Sequence, residues 1–160
     1  MKKIVSMMLG MVLLFNSFVL GASAEEVVSP KVMYTYQSTA DCATTQWSAV
    51  VRGAYLGYGV SCIVRNDGTH INISGSTTAT QYCDKIRLTL YVERSTSYST
   101  GYSTYKSYYY SANNAYQIVK EISNIPVERG YYYRVYAVHS ATHGGVTETT
   151  DSVTDPLSYF

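Results

Sequence analysis

The side chains with the most to offer chemistry are three histidines and three cysteines. His139 and His143 stand four apart, and a shared metal would need one nitrogen from each ring at ~2.1 Å from the ion. Extended backbone separates such residues by roughly 13 Å. Both therefore read as surface histidines beside the Gly144-Gly145 turn, His70 as a solvated residue after a turn, and no metal ligands are assigned. There is no Gly-x-Ser-x-Gly elbow, no His-Glu-x-x-His and no phosphate-cradling glycine loop. No catalytic residue and no cofactor are assigned, and the chain reads as non-enzymatic.

The cysteines depend on the compartment. Lys2 and Lys3, the apolar run from Met7 to Phe15 and the small residues of Ala22-Ser23-Ala24 form a secretory signal peptide over 1–24, cut before Glu25. The apolar run is shorter than the ~20 residues of a membrane-spanning helix, so the mature chain is expected to be secreted and extracellular, without a membrane partner. Disulfides persist there. Cys62 and Cys83 lie in the strongly patterned part of the chain and are the expected bridge, with Cys42 unpaired or joining a second chain. In the rival arrangement Cys42 bridges Cys83, and Cys62, in the alternation Val60, Cys62, Val64, is a small buried hydrophobe. Without Lys2 and Lys3, ten basic residues face eleven acidic ones. That balance gives no basic face for nucleic acid or anionic membrane.

The elements that would hold these residues read as strands throughout. Ile86, Leu88, Leu90 and Val92 alternate with Arg87, Thr89, Tyr91 and Glu93, the period of a half-buried strand. Val60 to Arg65 and His70 to Ser74, with Ile71 and Ile73 inward, flank Asn66-Asp67-Gly68-Thr69, a hairpin turn. Ser103 to Tyr110, Ile118 to Ile125 ending at Pro126, Tyr131 to His139 and Val146 to Val153 complete about seven strands of a single antiparallel β-sandwich. It occupies 57–160. Residues 25–56 form a leader in which Val32 to Gln37 could add an edge strand, while Ala40 to Tyr55 follows neither helical nor strand periodicity.

The stretch IPVERGYYYRVYAVHSATHGGVTET resembles the late strands of a fibronectin type III, immunoglobulin-like domain. The resemblance places Tyr131 as the corner tyrosine, Tyr133, Val135 and Ala137 inward, and Gly145 in the turn. With CDKIRLTLYVER and the signal peptide, the layout from Gly57 to Pro156 is similar to a family of small secreted Gram-positive bacterial proteins of unknown function. This resemblance implies a fold and no activity.

From Tyr98 to Ser111 the sequence YSTGYSTYKSYYYS carries six tyrosines and almost no aliphatic side chain. Tyrosine favours strands and Lys106 blunts an edge, so this run is expected to be an edge strand with a half-exposed ladder. Tyr105, Tyr108, Tyr109 and Tyr110 form its possible binding surface, with Tyr105 and Tyr109 on one parity and Tyr108 and Tyr110 on the other. The function expected is a structural or interaction module at the bacterial cell surface, its partner a surface protein or glycan. The alternative is a carbohydrate-binding module that stacks tyrosines on sugars. A small antimicrobial or toxin-like role is a lesser alternative.

Overall fold

The alternation between Ile86 and Glu93 lays its aliphatic row against the core, where Ile86, Leu88, Leu90 and Val92 are completely buried. Each such side chain removed from water contributes about 1.5–3 kcal/mol. The computed structural model describes Met33–Thr35, Cys42–Trp47 and residues 54–160. The described residues contain no helix and form eight strands: β1 (Met33–Thr35), β2 (Cys42–Trp47), β3 (Leu56–Arg65), β4 (His70–Ser95), β5 (Ser103–Pro126), β6 (Tyr131–His143), β7 (Val146–Val153) and β8 (Leu157–Tyr159). The signal peptide expected over 1–24 lies outside the described residues.

Every pairing is antiparallel. The order is β1-β2-β3-β4-β6-β7, with β5 beside β4 and β8 beside β6. The β3–β4 hairpin forms at the expected turn, where the Asp67 carboxylate accepts the Thr69 N–H at 2.6 Å and hydroxyl at 2.8 Å. These bonds hold the Asp67 carboxyl down at about 2.

The strand count differs from expectation for a physical reason. His70 to Ser74 and the strand around Leu88 are one continuous strand, because the threonine-rich segment between them keeps β conformation. Ser103 to Tyr110 and Ile118 to Ile125 merge in the same way into β5. Their common ladder shifts register between Thr78 and Cys83, next to Asn114, whose φ is 49°. Four residues of β4, Ala79 to Tyr82, there stand against the single Tyr116 of β5, and this excess bends the strands and lets one sheet turn a corner. The sheet curls into a half-barrel, and the first half of β4 packs on the second: a side-chain carbon on Gly75 would meet Leu90 Cδ2 at 2.6 Å. Three short strands, β1, β2 and β8, bring the total to eight. β1 falls within the segment read as a possible edge strand, and β2 arises in the leader where no period was legible.

Parity in β3 is opposite to that of the rival arrangement, in which Val60, Cys62 and Val64 face inward. Ser61 and Ile63 are completely buried, while Val60, Cys62 and Val64 lie on the other face and are half-buried. Cys83, instead of Cys62, is the small buried hydrophobe of the core, and burial pushes its thiol pKa up. The expected Cys62–Cys83 bridge is not formed. Cys62 stands opposite Ser74 on β4, and Cys83 lies nine residues further along that strand. Cys62 is half-buried on the face of β3 opposite the buried Ile63, whereas Cys83 is buried in the core, so the two thiols belong to different faces.

Tyr133, Val135 and Ala137 point inward as expected and are completely buried. The tyrosine whose hydroxyl bonds back to the preceding backbone is Tyr133, not Tyr131: it accepts the Glu128 N–H at 2.8 Å and donates to the Glu128 carbonyl at 3.3 Å. Tyr131, two residues earlier, is only half-buried and packs its ring against Tyr133 at 6.3 Å. Tyr133→Phe keeps the packing and orphans the Glu128 amide, so equilibrium urea unfolding should report a loss of about 1–2 kcal/mol, whereas Tyr131→Phe should change stability by less than about 0.5 kcal/mol.

Candidate functional site

The polar parity of β4 and the matching parity of β6 share the outer face of the curled sheet. Tyr91 lies directly opposite Tyr136 on β6 and Ser107 on β5, and Thr89 opposite Tyr109. The rings of Tyr109, Tyr91 and Tyr136 consequently form a row across three strands. Tyr91 is 6.2 Å from Tyr109 in an edge-to-face contact and 5.9 Å from Tyr136, nearly parallel at 28°. Both distances fall within the range of attractive aromatic pairs. Desolvation by this packing raises the Tyr91 and Tyr136 phenol pKa values.

One two-residue step along β6, roughly 7 Å, brings in Arg134. Its Nε donates to the Glu93 carboxylate at 2.8 Å, and its guanidinium sits 3.9 Å from the centre of the Tyr102 ring. A further step reaches Tyr132, flanked by Tyr98 at 5.5 Å and Phe160 at 4.9 Å. The outer face is thus an ion pair between two aromatic clusters. Tyr109, Tyr98 and Phe160 are 68%, 57% and 69% exposed, so the clusters are open to solvent.

The four tyrosines singled out from the sequence do not share this face. Tyr109 alone joins it. Tyr108 and Tyr110 stand opposite Leu90 and Leu88 and pack, half-buried, against the core from the open side of the half-barrel. A register shift between Val92 and Glu93 turns Tyr105 inward as well, where its hydroxyl donates to the Pro126 carbonyl at 3.1 Å. Arg94 lies between the Tyr105 and Tyr131 rings, at 4.7 and 4.6 Å, and pairs with Glu128 at 2.9 Å. Tyr91, Tyr132, Arg134 and Tyr136 were missed, although their signal was present: aromatic and charged residues hold the outward parity of the two clearest strands.

The histidines separate too. His139 is completely buried, against the expectation of a surface residue, because it continues the inward parity of Tyr133, Val135 and Ala137. Its Nδ1 is 2.9 Å from the Thr77 hydroxyl and its Nε2 2.9 Å from the Ser152 hydroxyl, which donates to Ser61 Oγ at 2.9 Å. The Thr77 hydroxyl donates to the Arg87 carbonyl at 3.1 Å, so towards the ring it accepts from Nδ1–H, and each ring nitrogen has a hydroxyl at 2.9 Å. Desolvation lowers the His139 pKa to about 4. The ring fits because Gly59 faces it: a side-chain carbon there would lie 2.3 Å from the imidazole. His143 instead rests its ring 4.9 Å from Tyr55, and His70 pairs with Asp67 at 3.2 Å. Among the described residues no group of three or more His, Cys, Asp and Glu is placed to hold a metal ion.

Residues 21–156 match the model of a family described as a family of unknown function (DUF6147). No curated protein matches the chain.

Proposed function

The chain belongs to this family of unknown function, and from that premise we propose that it is a secreted, non-enzymatic module, a β-sandwich of fibronectin type III-like character, that meets a partner at the bacterial cell surface through the outer face of β5, β4 and β6. The observation carrying this reading is the concentration of Tyr109, Tyr91, Tyr136, Tyr132, Tyr98 and Phe160 on one solvent-facing side of a hydrogen-bonded sheet. Large amphipathic rings held on a stiff backbone give contact area at little cost in conformational entropy. Secretion is supported by the charged start, apolar run and Ala22-Ser23-Ala24 of the leader. The fibronectin-like character is supported by the Tyr133 hydroxyl bonding back to Glu128. The non-enzymatic reading is supported by the placement of the Ser152–His139 contact, which is completely buried and closed to substrate.

The test is sedimentation of the mature chain, residues 25–160, with purified bacterial cell walls. Saturable co-sedimentation is expected, and Tyr91→Ser with Tyr136→Ser should abolish it while Tyr82→Ser with Tyr116→Ser, a distant exposed pair, should not. Equal sedimentation of both double variants would remove the face from the proposal.

A further inference from the structure

Resting on the reading of the outer face as the binding surface, we infer that its ligand is a neutral polysaccharide, with sugar rings lying on the Tyr109, Tyr91 and Tyr136 row and hydroxyls engaging the Glu93–Arg134 pair. Charge decides against polyanions. Glu93 and Arg134 neutralise each other at 2.8 Å, and Arg87 and Lys85 against Asp151 leave the same face with no more than one net positive charge. A nucleic acid or acidic polymer would instead require a surplus of free cations.

The residue types also disfavour an apolar protein anchor. Between the two aromatic clusters lie a carboxylate and a guanidinium, and beside the tyrosine row on the same parity lie Thr89, Ser107 and Ser111. Hydrophobic side chains of a partner protein would bury these polar groups without hydrogen bonds, at a cost for each. A sugar ring presents the complementary pattern. Its C–H face covers an aromatic ring, and its peripheral hydroxyls donate to Glu93 and accept from Arg134, whose guanidinium has several donors in one plane. The Glu93 and Arg134 residues face each other directly across β4 and β6, so donor and acceptor stand side by side, as adjacent hydroxyls on one ring require. Because the ligand carries no charge, its binding should be nearly indifferent to salt, which screens the attraction between charges.

Affinity electrophoresis in native gels tests this directly, with a soluble β-glucan, a xylan and a mannan as neutral probes and polygalacturonate as the acidic one. At least one neutral polysaccharide should retard residues 25–160 in both low and high salt, with no retardation by polygalacturonate. Tyr91→Ala with Tyr136→Ala should weaken retardation by about tenfold or more, each lost aromatic contact contributing at the scale of ring stacking. Tyr109→Ala, at a more exposed ring, provides a second reading should the double variant unfold. Retardation by polygalacturonate alone, by no polysaccharide, or equally in wild type and Tyr109→Ala overturns the inference. If wall sedimentation still depends on Tyr91 and Tyr136 and is lost when the walls are stripped of protein by protease, the ligand is a protein: the glycan assignment falls and the binding face stands.

Discussion

Gly59→Ala will destabilise the domain by about 3–5 kcal/mol, the sum of an overpacking cost and of orphaned buried polar atoms. The added carbon would overlap the His139 ring at 2.3 Å. That ring cannot step aside without leaving the Thr77 and Ser152 hydroxyls, each 2.9 Å from one of its nitrogens. Urea unfolding of the wild type, Gly59→Ala, His139→Ala and the double variant measures the coupling. The double variant should be clearly more stable than the sum of the single losses predicts, because His139→Ala empties the space the new carbon needs. Strict additivity would mean that the glycine serves the backbone and not the ring.

Acid should act through the same histidine. Its pKa falls from the ordinary 6.5 to about 4 on folding, by desolvation. The unfolded chain therefore takes up the proton first. The stability contributed by the neutral imidazole is complete above pH 6.5, declines as the pH falls, and is gone near pH 4. The loss across this window should be about 3 kcal/mol, at 1.36 kcal/mol for each unit. Unfolding free energies at pH 7, 5.5 and 4 for wild type and His139→Gln isolate it, since glutamine does not titrate and other groups cancel in the difference. Asp67 acts in a lower window, losing its contribution only as the pH falls from 3.8 toward about 2. A wild-type curve parallel to that of His139→Gln between pH 7 and 4 would show that the buried ring is not excluded from protonation.

The missed and the legible features divide along one physical line. Ile86 to Glu93, Ile71 and Ile73, and the inward run Tyr133, Val135, Ala137 were readable because side chains alternate across a strand by local geometry alone. The turn at Asp67 was readable because aspartate bonds backbone two residues on. Val60, Cys62 and Val64 misled because apolar residues on both parities leave the phase undecided locally. The phase was set by Gly59, Ser61 and Ile63 meeting His139, Ser152 and the core from distant strands. His139 itself lay on a legible parity, but composition made a histidine before a glycine turn look solvated.

The tyrosines carry the same lesson into the candidate site. The sequence alone determined an all-β antiparallel chain, its hairpin turns, its aliphatic core rows and its abundance of tyrosine, since each depends on neighbours a few residues apart. Only the tertiary structure decided which tyrosines stand together. The register shift opposite Tyr105 turns that residue off the parity of Tyr109 and onto the core side with Tyr108 and Tyr110, while Tyr109 joins Tyr91 and Tyr136. A shift of one residue in pairing exchanges the two faces of a strand, and what fixes it is the packing of the whole curled sheet.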